Sequence, residues 1–224
     1  MLNFCSNIYG QQIIGIKLNG GISNISNTTN NGQTLKKIFY NQPSYNGGVY
    51  YSNLLNLRMK LGAEIIFTQI NGKEYIEIPL TDNNNNPNGE FSLDTIWRHF
   101  SYLGLPIYFG YNYKKMNLNF GFQANYRLGG NGREKGSVPS NGGNITWDNK
   151  LKNLSGIDKF DFGIRAGIII DLYRNFGIEA NYYYGLNNNY RGSITSNWKM
   201  KNRQLAIGIR YNFFKINRKT KEKK

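Results

Sequence analysis

Cysteine is almost missing: Cys5 stands alone in 224 residues, so no intrachain disulfide framework and no cysteine-based zinc site can form. As a lipid-attachment site Cys5 lacks the small residues and the preceding apolar segment that such a site needs. Histidine is just as scarce, and with only His99 a multi-histidine metal centre is excluded; the sequence implies no metal and no cofactor. Acidic residues number 13 against 28 basic ones, a formal net charge of +15. The basic groups are scattered over connections, turns and the tail instead of gathering on one face, which argues against nucleic acid and for solvation or anionic lipid headgroups. No apolar run approaches the ~18 residues of a membrane helix. That absence leaves a β-barrel open, because only alternate residues of its strands meet lipid.

Aromatic residues, by contrast, make up 15% of the chain, with 17 Tyr and 13 Phe, and glycine occurs 26 times. Both suit short strands with aromatic girdles and close inward packing. The clearest pattern runs from Phe160 to Leu186. Phe162, Ile164, Ala166, Ile168 and Ile170 fall on one face, and Asp161, Gly163, Arg165, Gly167 and Asp171 on the other. After a tight turn at Tyr173-Arg174-Asn175 the alternation resumes, with Phe176, Ile178, Ala180 and Tyr182 opposite Gly177, Glu179, Asn181 and Tyr183. The same grammar appears around Ile14 to Ile22, Met59 to Phe67, Leu103 to Tyr111, Leu118 to Leu128 and Leu205 to Phe213, with a weaker strand from Gly47 to Leu55 whose facing is ambiguous.

Long polar connections are expected at residues 26–46, 71–99, 130–158 and 187–202. Within the second of these, Asn71-Gly72 signals a hairpin that would project beyond the bilayer. Tight turns fall near Asn56-Leu57-Arg58 and Tyr113-Lys114-Lys115. Pro106 implies a bulge or a missing bond in its ladder. These features predict an all-β, up-and-down antiparallel transmembrane β-barrel of about eight strands, with short periplasmic turns and long extracellular loops. Residues 13–214 would form the barrel, 1–12 a signal remnant or disordered start, and 215–224 a basic disordered tail. No export signal is visible in the given chain, since Met1 to Gln12 has neither a charged start nor an apolar core.

Volume decides which face points outward. About five large apolar residues on each of about eight strands would overfill so narrow an interior, whereas the Gly, Ala and Asn set with a few long charged groups fits it. Ile164, Ile168, Ile178, Ile207 and Ile209 are therefore expected to face lipid, and Lys17, Glu64, Arg127, Asp161, Arg165, Glu179 and Arg210 to form an ion-pair network in the lumen. A soluble, lipocalin-like binding barrel is the alternative with the faces reversed.

Several segments resemble the PorT-like outer-membrane β-barrel family, with its OmpA-type eight-stranded domain. They are Gly15-Ile-Lys-Leu-Asn-Gly-Gly-Ile-Ser-Asn-Ile25, Leu61-Gly-Ala-Glu-Ile-Ile-Phe67, Tyr102-Leu-Gly-Leu-Pro106, Tyr182-Tyr-Tyr-Gly-Leu186 and Ile207-Gly-Ile-Arg-Tyr-Asn-Phe213. Tyr75-Ile-Glu-Ile-Pro79 is a closer copy of the family's Tyr-Leu-Glu-Ile-Pro, which leaves the fourth strand beginning near either 73 or 102. The resemblance implies a monomeric integral protein of the cell outer membrane. Its partners would be outer-membrane lipid and proteins met through extracellular loops, and the family's founding member suggests a secretion and gliding complex as one role.

One enzymatic pattern stands out. His99 and Ser101 lie two residues apart on one strand face, with Glu90 or Asp94 as orienting acid, an arrangement similar to that of lipid A deacylase barrels. The expectation is nevertheless a structural or interaction module with no catalytic residues.

Overall fold

The computed structural model describes residues 11–28, 36–56, 58–81, 87–140, 142–151, 156–173, 175–190 and 199–217. Cys5, Trp198 and most of the expected tail lie outside them. Among the described residues nine antiparallel strands form one sheet: β1 (Gln11–Thr28), β2 (Lys36–Leu54), β3 (Met59–Thr81), β4 (Pro87–Tyr113), β5 (Met116–Ser140), β6 (Gly143–Leu151), β7 (Phe160–Tyr173), β8 (Phe176–Gly185) and β9 (Lys199–Asn217). Eight of the nine close into a ring, because β4 pairs with β5, β5 with β7, and β1 with β9. The ninth, β6, folds back on the far end of β5. The ladder starts at Gln11 and ends at Asn217, slightly beyond the expected span of 13–214.

The alternation resolves with the apolar set outside. Ile207 is 59% exposed on β9 while its near neighbour Arg210 is 3% exposed. On β7 and β8, Ile178 is exposed, and Ile164 and Ile168 share the outward face half-covered by their neighbours, while Asp161, Arg165 and Glu179 are buried. A collar of exposed Leu, Ile and Phe encircles the ring, far more than a water-facing surface carries. This overturns the soluble-barrel alternative, which needs the apolar set inside. Aromatic pairs mark the two edges of the collar, Tyr126 with Phe160 and Tyr45 with Phe67 at one end, Phe176 with Tyr211 at the other. On the ambiguous strand, Tyr50 points inward and Val49 and Tyr51 outward.

Three of the expected long connections are largely strand. β2 already begins at Lys36, β3 runs straight through Asn71-Gly72 to Thr81, and β5 continues to Ser140 before returning as β6. Asn71 and Gly72 stay in the ladder opposite His99 and Arg98, and Gly72 lacks the positive φ that a two-residue hairpin turn requires. Glycine serves packing there: a Cβ on Gly72 would stand 2.8 Å from the Ile25 side chain, which leans across the barrel mouth from β1. The fourth strand begins at Pro87, so Tyr75–Pro79 belongs to β3 and Tyr102–Pro106 to β4. At Pro106 the β3–β4 ladder is interrupted, passing from Ala63↔Ile107 to Ile66↔Gly104 with no partners between. In the tight turn after β4, Lys114 takes a positive φ of 54°.

Candidate functional site

The functional residues nominated by alternation converge on the lumen, which is filled in three stacked layers. The layer nearest the tight turns is ionic. Lys17 of β1 places its Nζ 2.7 Å from Glu64 Oε2 on β3 and 2.7 Å from Glu179 Oε1 on β8. Arg165 of β7 donates to Glu64 Oε2 at 2.5 Å and lies 3.8 Å from Glu179 Oε1. Arg210 of β9 reaches Glu179 Oε2 at 3.8 Å and stacks over the Tyr50 ring at 3.8 Å. Asn19 donates to Glu179 Oε1 at 2.7 Å. All are buried, so each carboxylate depends on these partners for solvation that water cannot supply.

The middle layer is amide and phenol. Asn202 donates to Asp161 Oδ2 at 2.8 Å and to the Tyr102 hydroxyl at 3.0 Å, and Asn125 donates to Asp161 at 3.4 Å. The outer layer is apolar: Ile25, Ile70, Phe100, Tyr102, Tyr183 and Met200 pack together, with Ile157 and Tyr190 against them. Alternation did not reveal this layer, since Ile25 and Ile70 lie just past the apolar runs it picked out and Met200 falls in a segment read as a connection. The available signal was Phe100 and Tyr102 on the face opposite His99 and Ser101.

Two expected members stand apart from the ionic layer. Arg127 lies at the outer mouth, donating to the Ile157 carbonyl at 2.9 Å and stacking 5.7 Å from the Phe100 centroid. Asp161 is held by amides in the middle layer. Lys17, Glu64, Arg165, Glu179 and Arg210 are the five brought together.

His99 and Ser101 share the outward face of β4 above the collar, as half-buried residues. Among the described residues the His99 ring meets Asn71 Oδ1 at 3.1 Å and no carboxylate. Asp94 sits further along β4, its pKa raised by burial and by neighbouring Glu134. Neither proposed acid therefore orients this imidazole.

Beyond the collar the strands carry their own polar chemistry. Glu74 is fully buried between Arg98 at 2.7 Å and Lys37 at 3.7 Å. Burial lowers the Lys37 pKa, against the opposing pull of Glu74. On the β5–β6 hairpin Asp148 bridges Arg133 at 2.6 Å and Lys135 at 3.0 Å, and those hydrogen bonds hold its carboxyl below the usual range. Among the described residues no group of three or more His, Cys, Asp or Glu could hold a metal ion.

A closed antiparallel ring with an apolar outside, aromatic edges and an ion-paired inside defines an integral outer-membrane β-barrel. The chain belongs to the outer membrane protein beta-barrel domain family, whose model matches residues 10–191. It is accordingly a protein of the cell outer membrane. Among solved structures it is similar to Neisserial surface protein A, at 10% identity and a TM-score of 0.44 over 89% of this chain and 97% of that one. It is also similar to Ail, the attachment invasion locus protein of Yersinia pestis, at 16% identity and 0.41 over 91% and 100% of the two chains. A third is the outer membrane protease OmpT of Escherichia coli, at 12% identity and 0.36 over 95% and 99%. No curated protein matches the chain by sequence.

Proposed function

We propose that the protein is a closed, non-conducting barrel that holds a rigid β-platform above the outer membrane for recognition of other proteins. The observation that carries this reading is the burial of successive lumen layers. Glu64, Glu179, Asn125 and Phe100 are each 3% exposed or less, so there is no room for water beside them, still less for a hydrated ion. The ion pairs lock the interior, and the recognition surface is the extension of β3, β4, β5 and β6 past the lipid. The PorT-like resemblance belongs to this reading, with membership of a secretion complex as the finer assignment.

Planar-bilayer recording tests the first half: the refolded protein gives no steady openings, and large stable conductance steps would overturn the closed lumen. Crosslinking on intact cells followed by affinity capture tests the second. Partners should be captured by the full chain and lost when β6 and its turn are replaced by a short linker. Lipid A of a His99→Ala strain should be unchanged by mass spectrometry, and an altered acylation pattern would restore an enzymatic role.

A further inference from the structure

The tight-turn end of the lumen carries more positive charge than its own acids neutralise. Four cations, Lys17, Lys60, Arg165 and Arg210, are buried there with two carboxylates, Glu64 and Glu179. Those two glutamates are committed to Lys17 and Arg165 at 2.5–2.7 Å. Arg210 reaches Glu179 only at 3.8 Å, and its Nη1 is buried without a hydrogen-bond partner. Lys60 is 6% exposed and makes no ion pair or hydrogen bond among the described residues. The Ser52 hydroxyl is likewise buried without a partner.

These three groups come from different strands, β2, β3 and β9, yet all line one cavity of about 200 Å³ at the tight-turn end. Lys114 and Lys215 add two cations to its lining, and Asp171 is its one acid. Buried cations with so little counter-charge are unfavourable in a low-dielectric interior, so an unfilled site of this kind weakens the fold that contains it. Two cationic donors and a hydroxyl around a space larger than a halide suit a tetrahedral oxyanion, which offers a separate oxygen to each. The cavity opens at the tight-turn end, and Ile13, Leu54 and Met116 supply apolar lining beside the charges.

We propose that the tight-turn mouth of the lumen is a binding site for a phosphate group, held by Lys60, Arg210 and Ser52. The group is carried either by a phospholipid headgroup or by free phosphate. Neither the closed lumen nor the extracellular platform enters this inference, so it can fail while they stand.

The test uses the full chain refolded in an uncharged maltoside detergent, with inorganic phosphate titrated at constant ionic strength and unfolding followed by intrinsic fluorescence. The unfolding midpoint rises with the logarithm of phosphate concentration above the dissociation constant. Lys60→Met abolishes that rise and, having lost the unpaired charge, unfolds at a higher midpoint than wild type in phosphate-free buffer. Ser52→Ala folds normally and weakens phosphate several-fold. Lys37→Met, at the opposite end of the molecule, keeps the wild-type phosphate response. An equal response in wild type and Lys60→Met, or no response in wild type, overturns the site. In bilayers of phosphatidylcholine with phosphatidylglycerol, loss of the response assigns the site to lipid headgroups, and its persistence assigns it to free phosphate.

Discussion

The lumen solves one packing problem in two ways along its length. Toward the tight turns the inward residues are charged and clamp one another across the ring, while at the opposite mouth the same inward face turns apolar around Phe100 and Tyr102. The switch coincides with the end of the lipid collar. Where hydrocarbon surrounds the strands, burying apolar side chains inside gains little, and specific ion pairs can fix which strands face each other. Above the collar the outer surface meets water, so the strands need an ordinary hydrophobic core. β4 shows the change within one strand. Leu103, Leu105, Ile107 and Phe109 point to lipid, whereas beyond Ser101 the next three outward positions are His99, Trp97 and Thr95, ahead of Leu93 and Phe91.

The sharpest way to break this contrast is Lys17→Met, which leaves Glu64 and Glu179 facing each other with less counter-charge. Loss of one partner from a buried pair costs about 3–5 kcal/mol, read as a fall in the urea midpoint of refolded protein. Adding Glu179→Gln should recover part of that loss, because the orphaned charge is then removed. Phe100→Ala attacks the apolar layer, with an expected cost of about 3 kcal/mol from lost burial and the cavity left behind. Its effect should be insensitive to salt.

The smallest effect lies on the exposed β5–β6 hairpin. The Asp148 pKa is depressed by its hydrogen bonds to Arg133 and Lys135, so the stabilisation is fully present above the ordinary carboxylate value of about 3.9 and is lost as pH falls through the lower folded value. Pepsin nicking of the hairpin should therefore rise only on strong acidification. Arg133→Ala should move that onset to higher pH.

Within the collar the strand grammar was legible on every strand but β2, whose facing stayed ambiguous, because lipid on one side and a narrow lumen on the other force a strict period of two. Above it the signal fades. In Lys73-Glu-Tyr-Ile-Glu-Ile78 polar and apolar residues no longer alternate strictly, Asn71-Gly72 ahead of them reads as a turn, and only the approach of Ile25 explains the glycine. Alternation also gives a residue's face without its height. Arg127 and Asp161 point inward as expected, yet register sets Arg127 opposite Tyr102 and Asp161 opposite Asn125, away from the acids and cations deeper in the ring. The unpartnered state of Lys60 depends on side-chain distances that no periodicity encodes.

The seam between β1 and β9 joins the two ends of the described chain, and Lys17, the central cation of the lumen, sits on it. Ring closure is the longest-range pairing in the fold and so carries the largest loop-closure entropy, which places it late in assembly. Until that moment Glu179 on β8 lacks Lys17 and must stay hydrated. An open sheet in the bilayer would thus expose a raw carboxylate as well as unpaired strand edges, and the final zippering neutralises both at once.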